Sequence, residues 1–416
     1  MTNLKSLLSE GGAVGHLRSL HEARELSFKE MKMILRKAAT GRLEKVTEKM
    51  DGQQLTFSYD ASTDTVLAAR SAGDIKRGGM NADELASKFA GRGSVEDAFN
   101  MAFKVINGAV RALPQKARLK VFGSSANRWY SAEIIYTKNP NVINYDSDSV
   151  IFHGWPVFKK SKSGEVEMSS DDDGSVDILT NYVDKMSEAV KSTGWKVKGP
   201  ALVRMKKLSD GTIFQNAIDK IEASMTEAGV NDANTIEDFL RSHLETDISE
   251  MDLTDEANQM IVSRCLELDG APGLNDIKKK LDKTDIEQVV QFVRNSPNTL
   301  KAYIRPIELA VSDFAVDLLK GLDSTLIADT SKEVERLRGE VKNAINAIET
   351  SGNEAAMSIL AKQMAKLKSV ENITAPLEGV VFIYKGNAFK FTGSFASVGQ
   401  VLGLFRYGRA GVVLDK

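Results

Sequence analysis

The stretch Glu48-Lys49-Met50-Asp51-Gly52 decides how the rest of the chain is read. A lysine acts as a covalent nucleophile when its surroundings keep a useful fraction of the amine unprotonated. Its unperturbed pKa is about 10.4, so burial or neighbouring cations must lower it. A turn closed by Gly52 would expose the amine above a sheet and allow close backbone approach by a phosphate. Alone, so short a motif more often marks an ordinary charged surface turn. Its meaning rests on what surrounds it.

On the N-terminal side, Phe28, Met31, Ile34 and Leu35 fall at helical spacing, and the pattern ends near Gly41. On the C-terminal side, residues 55–59, 65–69, 119–122, 130–136 and 150–158 read as strands, the first two joined by a polar turn at 60–64. Residues 82–89 and 95–110 read as helices, and 161–174, with its Asp171-Asp172-Asp173 run, as a loop. Beyond residue 208 strand signals nearly vanish until Val380, and helical runs are predicted at 214–227, 235–243, 285–295, 307–327 and 331–369. Residues 379–391 are again strand-like, with Lys385-Gly386-Asn387 as the turn, and 397–405 form a last helix.

The expected fold class is therefore α+β, in three segments: 1–207, a mainly helical insertion at 208–370, and a return at 371–416. The return is too short to fold alone, so it is expected to complete the sheet begun by the N-terminal half.

Composition narrows the function. The chain has 416 residues and a net charge of −2, which argues against a surface coated in cations for non-specific nucleic-acid binding. Local basic clusters exist at 76–77, 111–120, 196–207 and 406–409, each more simply a solvated surface. One cysteine, Cys265, and four histidines leave no internal disulfide and little material for a zinc site. No apolar run approaches the roughly 18 residues that cross a bilayer, and a cytoplasmic setting is expected. His16, Arg18, His21 and Arg24 are candidates to hold a phosphate, though a polar lead-in to the first helix explains them more simply.

Lys49-Met50-Asp51-Gly52 and the residues that follow resemble, in order, the motifs of the covalent nucleotidyltransferases: ATP-dependent DNA ligases, RNA ligases and messenger-RNA capping enzymes. The resemblance implies a ligase-type adenylation fold carrying a large helical insertion. It implies that Lys49 attacks the α-phosphate of ATP and keeps AMP as a phosphoramidate. Glu48 resembles the acid that some RNA ligases use to read the adenine amino group, and Gln54 the polar residue near the nucleotide. Arg70 matches the arginine at the ribose and acceptor end, Glu133 the glutamate on the ribose, and Phe152 the aromatic that stacks on the base. Glu378-Gly379-Val380-Val381 matches the motif whose glutamate binds Mg²⁺, and Lys390 the lysine on the α-phosphate.

The fifth motif usually has two lysines one residue apart. Here Thr392 stands in the second place if Lys390 is the first, or Ala388 in the first place if Lys390 is the second, and Lys385 is the candidate to compensate. The resemblance covers about residues 43–206 and 376–390, with nothing matching a C-terminal OB domain. Its closest style is that of RNA ligases of tailed phages, which implies host cytoplasm, an RNA or nicked-DNA substrate with RNA favoured, and ATP with Mg²⁺ as cofactors. Two alternatives stand beside it: a non-catalytic member of the fold that binds nucleic acid or holds a protein through the helical insertion, and an adenylyltransferase acting on another acceptor.

Overall fold

The computed structural model describes residues 17–161, 163–169, 174–320, 322, 330–367, 369–370, 373, 378–393 and 395–406. His16, Arg409 and the Asp171–Asp173 run lie outside the described residues. The chain is α+β, with antiparallel pairing predominant in its sheets. It divides into two compact units, one of residues 1–17, 43–206 and 319–416, the other of residues 18–42 and 207–318.

The second unit is helical. It contains α1 (Phe28–Ala39) and, later in the chain, α7 (Gly211–Glu227), α8 (Ile236–Ser249), α9 (Asp255–Cys265), α10 (Leu274–Lys278) and most of α11 (Ile286–Lys320). Helix α1 starts where Ser27 and Glu30 form a capping box, and it buries Phe28, Met31, Ile34 and Leu35 as the spacing predicted. The helical unit thus recruits an N-terminal helix and gives up residues 319–370, so its bounds differ from the 208–370 insertion read from sequence. Two separate helices expected at 285–295 and 307–327 are one, α11, which runs through Pro297 and Pro306. Proline 297 has no N–H for the carbonyl of Val293, and the Ser296 hydroxyl donates to that carbonyl instead at 2.9 Å.

In the first unit the strands are β1 (Thr47–Lys49), β2 (Gln53–Asp60), β3 (Thr65–Ala69), β4 (Arg128–Ile135), β5 (Ser149–Lys160), β6 (Val166–Ser169), β7 (Lys196–Lys198), β8 (Gly379–Tyr384) and β9 (Asn387–Thr392). Its helices are α2 (Ala72–Lys76), α3 (Ala82–Phe89), α4 (Ser94–Ala112), α5 (Gln115–Phe122), α6 (Ser175–Ala189), α12 (Thr330–Ser351), α13 (Glu354–Leu367) and α14 (Phe395–Arg406). Residues 119–122, expected as a strand, close α5. The helix formers of Gln-Lys-Ala-Arg-Leu-Lys carry the segment through a helix that begins after Pro114 and stops at Gly123 (φ 79°).

The larger sheet runs β3-β2-β4-β5-β6, with β7 parallel to β5. Strand alternation sends Leu55, Phe57, Tyr130, Ala132, Ile134, Phe152 and Val157 to one face, where α3 to α6 cover them in the main core. On the opposite face, Trp129 and Phe158 pack with Ala72 and Ile75 of α2 at one end, which leaves the end with Ser131 and Glu133 for other contacts.

The C-terminal return does not extend this sheet. Strands β8 and β9 join β1 in a separate three-stranded sheet, order β1-β8-β9. The two sheets meet through the segment after β7, where Glu48 N–H donates to the Ala201 carbonyl and Val203 N–H to that of Val46. Helices α12, α13 and α14 form a further apolar cluster that includes Leu337, Val341, Leu360, Val401 and Leu402.

Asp74 shows how tightly the end of β3 is tied. It caps α2 with Ser71, accepts the Arg70 N–H, and pairs with Lys88 and Arg77. Although burial opposes ionisation, these partners hold its carboxyl down at about 2. Because the folded value lies below the unfolded one, the stabilisation is complete above about pH 4 and disappears as pH falls towards 2. Asp74→Asn is expected to cost about 1–3 kcal/mol in urea denaturation at pH 7, and the loss should shrink at pH 3.

Candidate nucleotide site

Strand β1 is three residues long, too short to announce itself in a sequence, and its register explains the motif. Lys49 pairs with Gly379, Glu48 with Val380 and Thr47 with Val381; on the other side of β8, Gly379 pairs with Thr392 and Val381 with Lys390. Residues opposite one another share a face and alternate along each strand. One face therefore carries Lys49, Thr392, Thr47 and Lys390, and the other carries Glu48, Val380 and Phe391. The second face is closed, with Glu48 buried to 3% exposure.

Lys49 Nζ contacts the Glu378 carboxylate, joining residues 329 positions apart. Gly379, which follows Glu378, lets β9 come close: a Cβ there would lie 2.1 Å from the Phe391 carbonyl oxygen. Gly52 has a similar reason. Its missing Cβ would meet the Ile134 carbonyl at 2.6 Å and Glu133 Cγ at 2.7 Å. The space that sequence reading reserved for a phosphate is filled by β4 itself. Met50 fixes the turn from below, packing with Ile135, Ile151, Ala201 and Tyr145.

Asp51 is held by main-chain amides rather than by the lysine. Its Oδ2 accepts the N–H groups of Val142 and Ile143, both at 2.7 Å, while its own N–H donates to the Tyr145 hydroxyl at 3.1 Å. Burial raises the Asp51 carboxyl against the pull of those two amides. Asn141 Nδ2 also donates to the Gly52 carbonyl at 3.0 Å, so residues 141–145 clasp the turn.

Glu133 comes to the same place from β4, in register with Gln54 on β2 and Ile151 on β5. Gln54 Nε2 donates to the Ser131 hydroxyl at 3.2 Å on that face. Arg70, just past β3, donates to the Gln54 main-chain carbonyl and lies 4.8 Å over the Phe99 ring. Burial lowers its pKa, and the nearby Glu133 charge opposes that shift. Arg70 thus locks the strand beside Glu133.

The cations expected around Lys49 are not its nearest charged neighbours; carboxylates are. Glu378 is raised to about 7, first by burial, with Asp51 and Glu133 pushing the same way and Lys49 opposing. Among the described residues no group of three or more His, Cys, Asp or Glu side chains forms a metal cluster. The donor set nevertheless fits Mg²⁺, which takes one or two protein carboxylates and completes its shell with phosphate oxygens and water. A buried carboxylate that feels the charge of two others is one whose ionised form a divalent cation would favour.

Besides Glu48, which lies on the closed face opposite Lys49, two predicted site residues lie elsewhere. Phe152 is 1% exposed, its ring 5.0 Å from that of Phe57 in the main core, so strand alternation turns it away from Glu133 and it offers no platform to a base. Lys385 has φ 48° and forms the hairpin tip with Gly386. Six residues beyond Gly379 along an extended strand, it stands about 20 Å from the Lys49 row and cannot stand in for the missing lysine of the fifth motif.

Two residues that the sequence reading passed over do reach the site. His153, next to Phe152, faces Glu133, with Nε2 3.2 Å from Glu133 Oε2. Lys198, in a basic cluster read as solvated surface, is half-buried on β7 in register with Ile151, hence in the same cross-strand row as Glu133. Burial lowers its pKa, Lys196 adds to the shift, and Asp146 and Glu48 oppose it. Alternation was the available signal for both, since Lys196-Val197-Lys198 and Phe152-His153 each put one residue of interest on the opposite face from its neighbour.

No family model, no curated protein and no solved structure matches this chain.

Gly52→Ala should push the turn off β4 and cost about 1–3 kcal/mol of stability in thermal or urea unfolding. An exposed glycine with room for a methyl group, such as Gly211 at the start of α7, should tolerate alanine at the same assay with a far smaller change.

Proposed function

We propose that this protein is an ATP-dependent nucleotidyltransferase that forms lysyl-AMP on Lys49, with polynucleotide ends, RNA before DNA, as the acceptor. The contact of Lys49 with Glu378 across the β1–β8 pairing carries the reading. It brings the lysine of one motif against the glutamate of another, and the turn between Lys49 and β2 seats directly on Glu133. The order of motifs in the sequence gives independent support.

The chemistry asks little covalent machinery of the protein beyond the nucleophile. Lys49 Nζ forms a bond to the α-phosphorus, the bond from that phosphorus to the bridging oxygen breaks, and pyrophosphate leaves with the electron pair. The ammonium proton departs along the contact with Glu378. Glu378 would hold Mg²⁺, which when bound would supply neutralisation of the phosphate charge. Lys390, on the Lys49 face two rows along, is placed to add positive charge beside the phosphates. Glu133 lies where a ribose hydroxyl would find an acceptor. Transfer of AMP to a 5′-phosphate and sealing to a 3′-hydroxyl follow from the ligase resemblance, which also supplies the preference for RNA.

A second acceptor class has one observation in its favour. Phe152 is a core residue, so the base platform of a ligase is missing at its expected place. An adenylyltransferase that modifies another acceptor shares the first half-reaction and differs only in the second.

Incubation with Mg²⁺ and α-labelled ATP is expected to leave label on the denatured protein, and Lys49→Ala should reduce it to background. Glu378→Gln should slow labelling by about 10²–10³-fold with the fold retained by circular dichroism. The labelling rate should rise between pH 6 and pH 8, because Glu378 is raised to about 7 and is neutral below that. A flat profile, or full labelling by Lys49→Ala, contradicts the assignment.

A further inference from the structure

His153 and Glu133 form a paired unit on the site face of the larger sheet. Their side chains are only 14% and 11% exposed, and the imidazole Nε2 lies 3.2 Å from Glu133 Oε2. Among the described residues this is the one hydrogen bond that Glu133's carboxylate makes, so its second oxygen, Oε1, is left to other partners. A neutral imidazole with the proton on Nε2 donates to Oε2 and has its other nitrogen as an acceptor. Glu133 cannot swing freely. Gly52 passes so close to it that an added Cβ would meet its Cγ at 2.7 Å, and the residues paired with it on either side are Gln54 and Ile151.

A carboxylate fixed through one oxygen presents the other in a set direction, and a site built to hydrogen-bond a hydroxyl rejects the analogue that lacks it. Its polar neighbours are partly engaged: Gln54 Nε2 donates to the Ser131 hydroxyl, and one Arg70 N–H donates to the Gln54 main-chain carbonyl. Glu133 Oε1 is thus an anionic acceptor that this end of the face offers to a ligand. We propose that His153 is a positioning residue: by holding Oε2 it aims Glu133 Oε1 at the ribose hydroxyls of the bound nucleotide, and so sets the preference for ribose over a dideoxy sugar. The inference rests on the nucleotidyltransferase reading and adds to it a residue that sequence motifs did not mark. The placement follows from the sheet itself, since the alternation that buries Phe152 delivers His153 to Glu133.

The test compares lysyl-AMP formation from ATP and from 2′,3′-dideoxy-ATP, with kcat and KM measured separately, in wild type, His153→Ala, His153→Gln and Glu133→Gln. Wild type should prefer ATP. His153→Ala should raise KM for ATP about 10-fold, leave dideoxy-ATP nearly unchanged and so collapse the preference, as should Glu133→Gln. His153→Gln, whose side-chain amide can donate to the same oxygen, should recover most of the discrimination. It also serves as the folded comparison if the alanine variant is unstable. A ratio of ATP to dideoxy-ATP that is unchanged in both His153 variants overturns the positioning role while leaving the nucleotidyltransferase reading intact. Absence of label in wild type with either nucleotide overturns that reading, and the inference with it.

Discussion

The pairing of Lys49 with Gly379 is the constraint on which the site depends. Strand β1 contributes three residues and has no stability of its own. It exists because β8 lies on one side and residues 201–203 on the other. That position draws together segments from residue 46 to residue 393 and gives the long excursion through the helical unit two fixed ends. The excursion leaves the first unit after residue 206 and re-enters at residue 319. A one-residue slip of β1 against β8 would exchange the faces of Glu48 and Lys49, burying the ammonium and exposing the acid. Both motif glycines protect the register, Gly379 by admitting the Phe391 carbonyl and Gly52 by admitting β4.

The site's electrostatics follow from that geometry. Glu378 alone contacts Lys49, Asp51 and Glu133 act on Glu378 through their charge, and each carboxylate has a different restraint. Asp51 is satisfied by two main-chain amides and holds the turn. Glu133 is held by His153. Glu378 has Lys49 and little else among the described residues, and it alone of the three is driven up to about 7. A near-neutral carboxyl beside an amine has a proton to exchange and an anion to offer a cation, both of which phosphoryl transfer uses. Rigid partners on Asp51 and Glu133 leave the exchange to Glu378.

Much of the larger sheet was legible in the chain. The strand read at 65–69 is β3 to the residue, and 130–136 and 150–158 fall within a residue or two of β4 and β5, because alternating apolar residues bounded by turn formers are a local signal. What stayed hidden was non-local or short. The partner of β1 lies more than 300 residues away, so the sequence motifs suggested who meets without saying on which strand. Leu119 to Phe122 carries the apolar content of a strand, yet Pro114 and four helix formers ahead of it commit the segment to α5. Phe152 was misassigned for a related reason: an apolar run buried on both sides hides its own alternation, and only the pairing with β4 shows that His153 is the residue turned towards Glu133. The recruitment of residues 18–42 to the helical unit had no local signal at all.

Mass-spectrometric mapping of the protein after incubation with Mg²⁺ and ATP tests the central claim most directly. The account predicts a single AMP adduct on the peptide containing Lys49, acid-labile as a phosphoramidate is, and removed when pyrophosphate is added back. An adduct on a different residue, or a Lys49 peptide that stays unmodified while the protein turns over ATP, would contradict it.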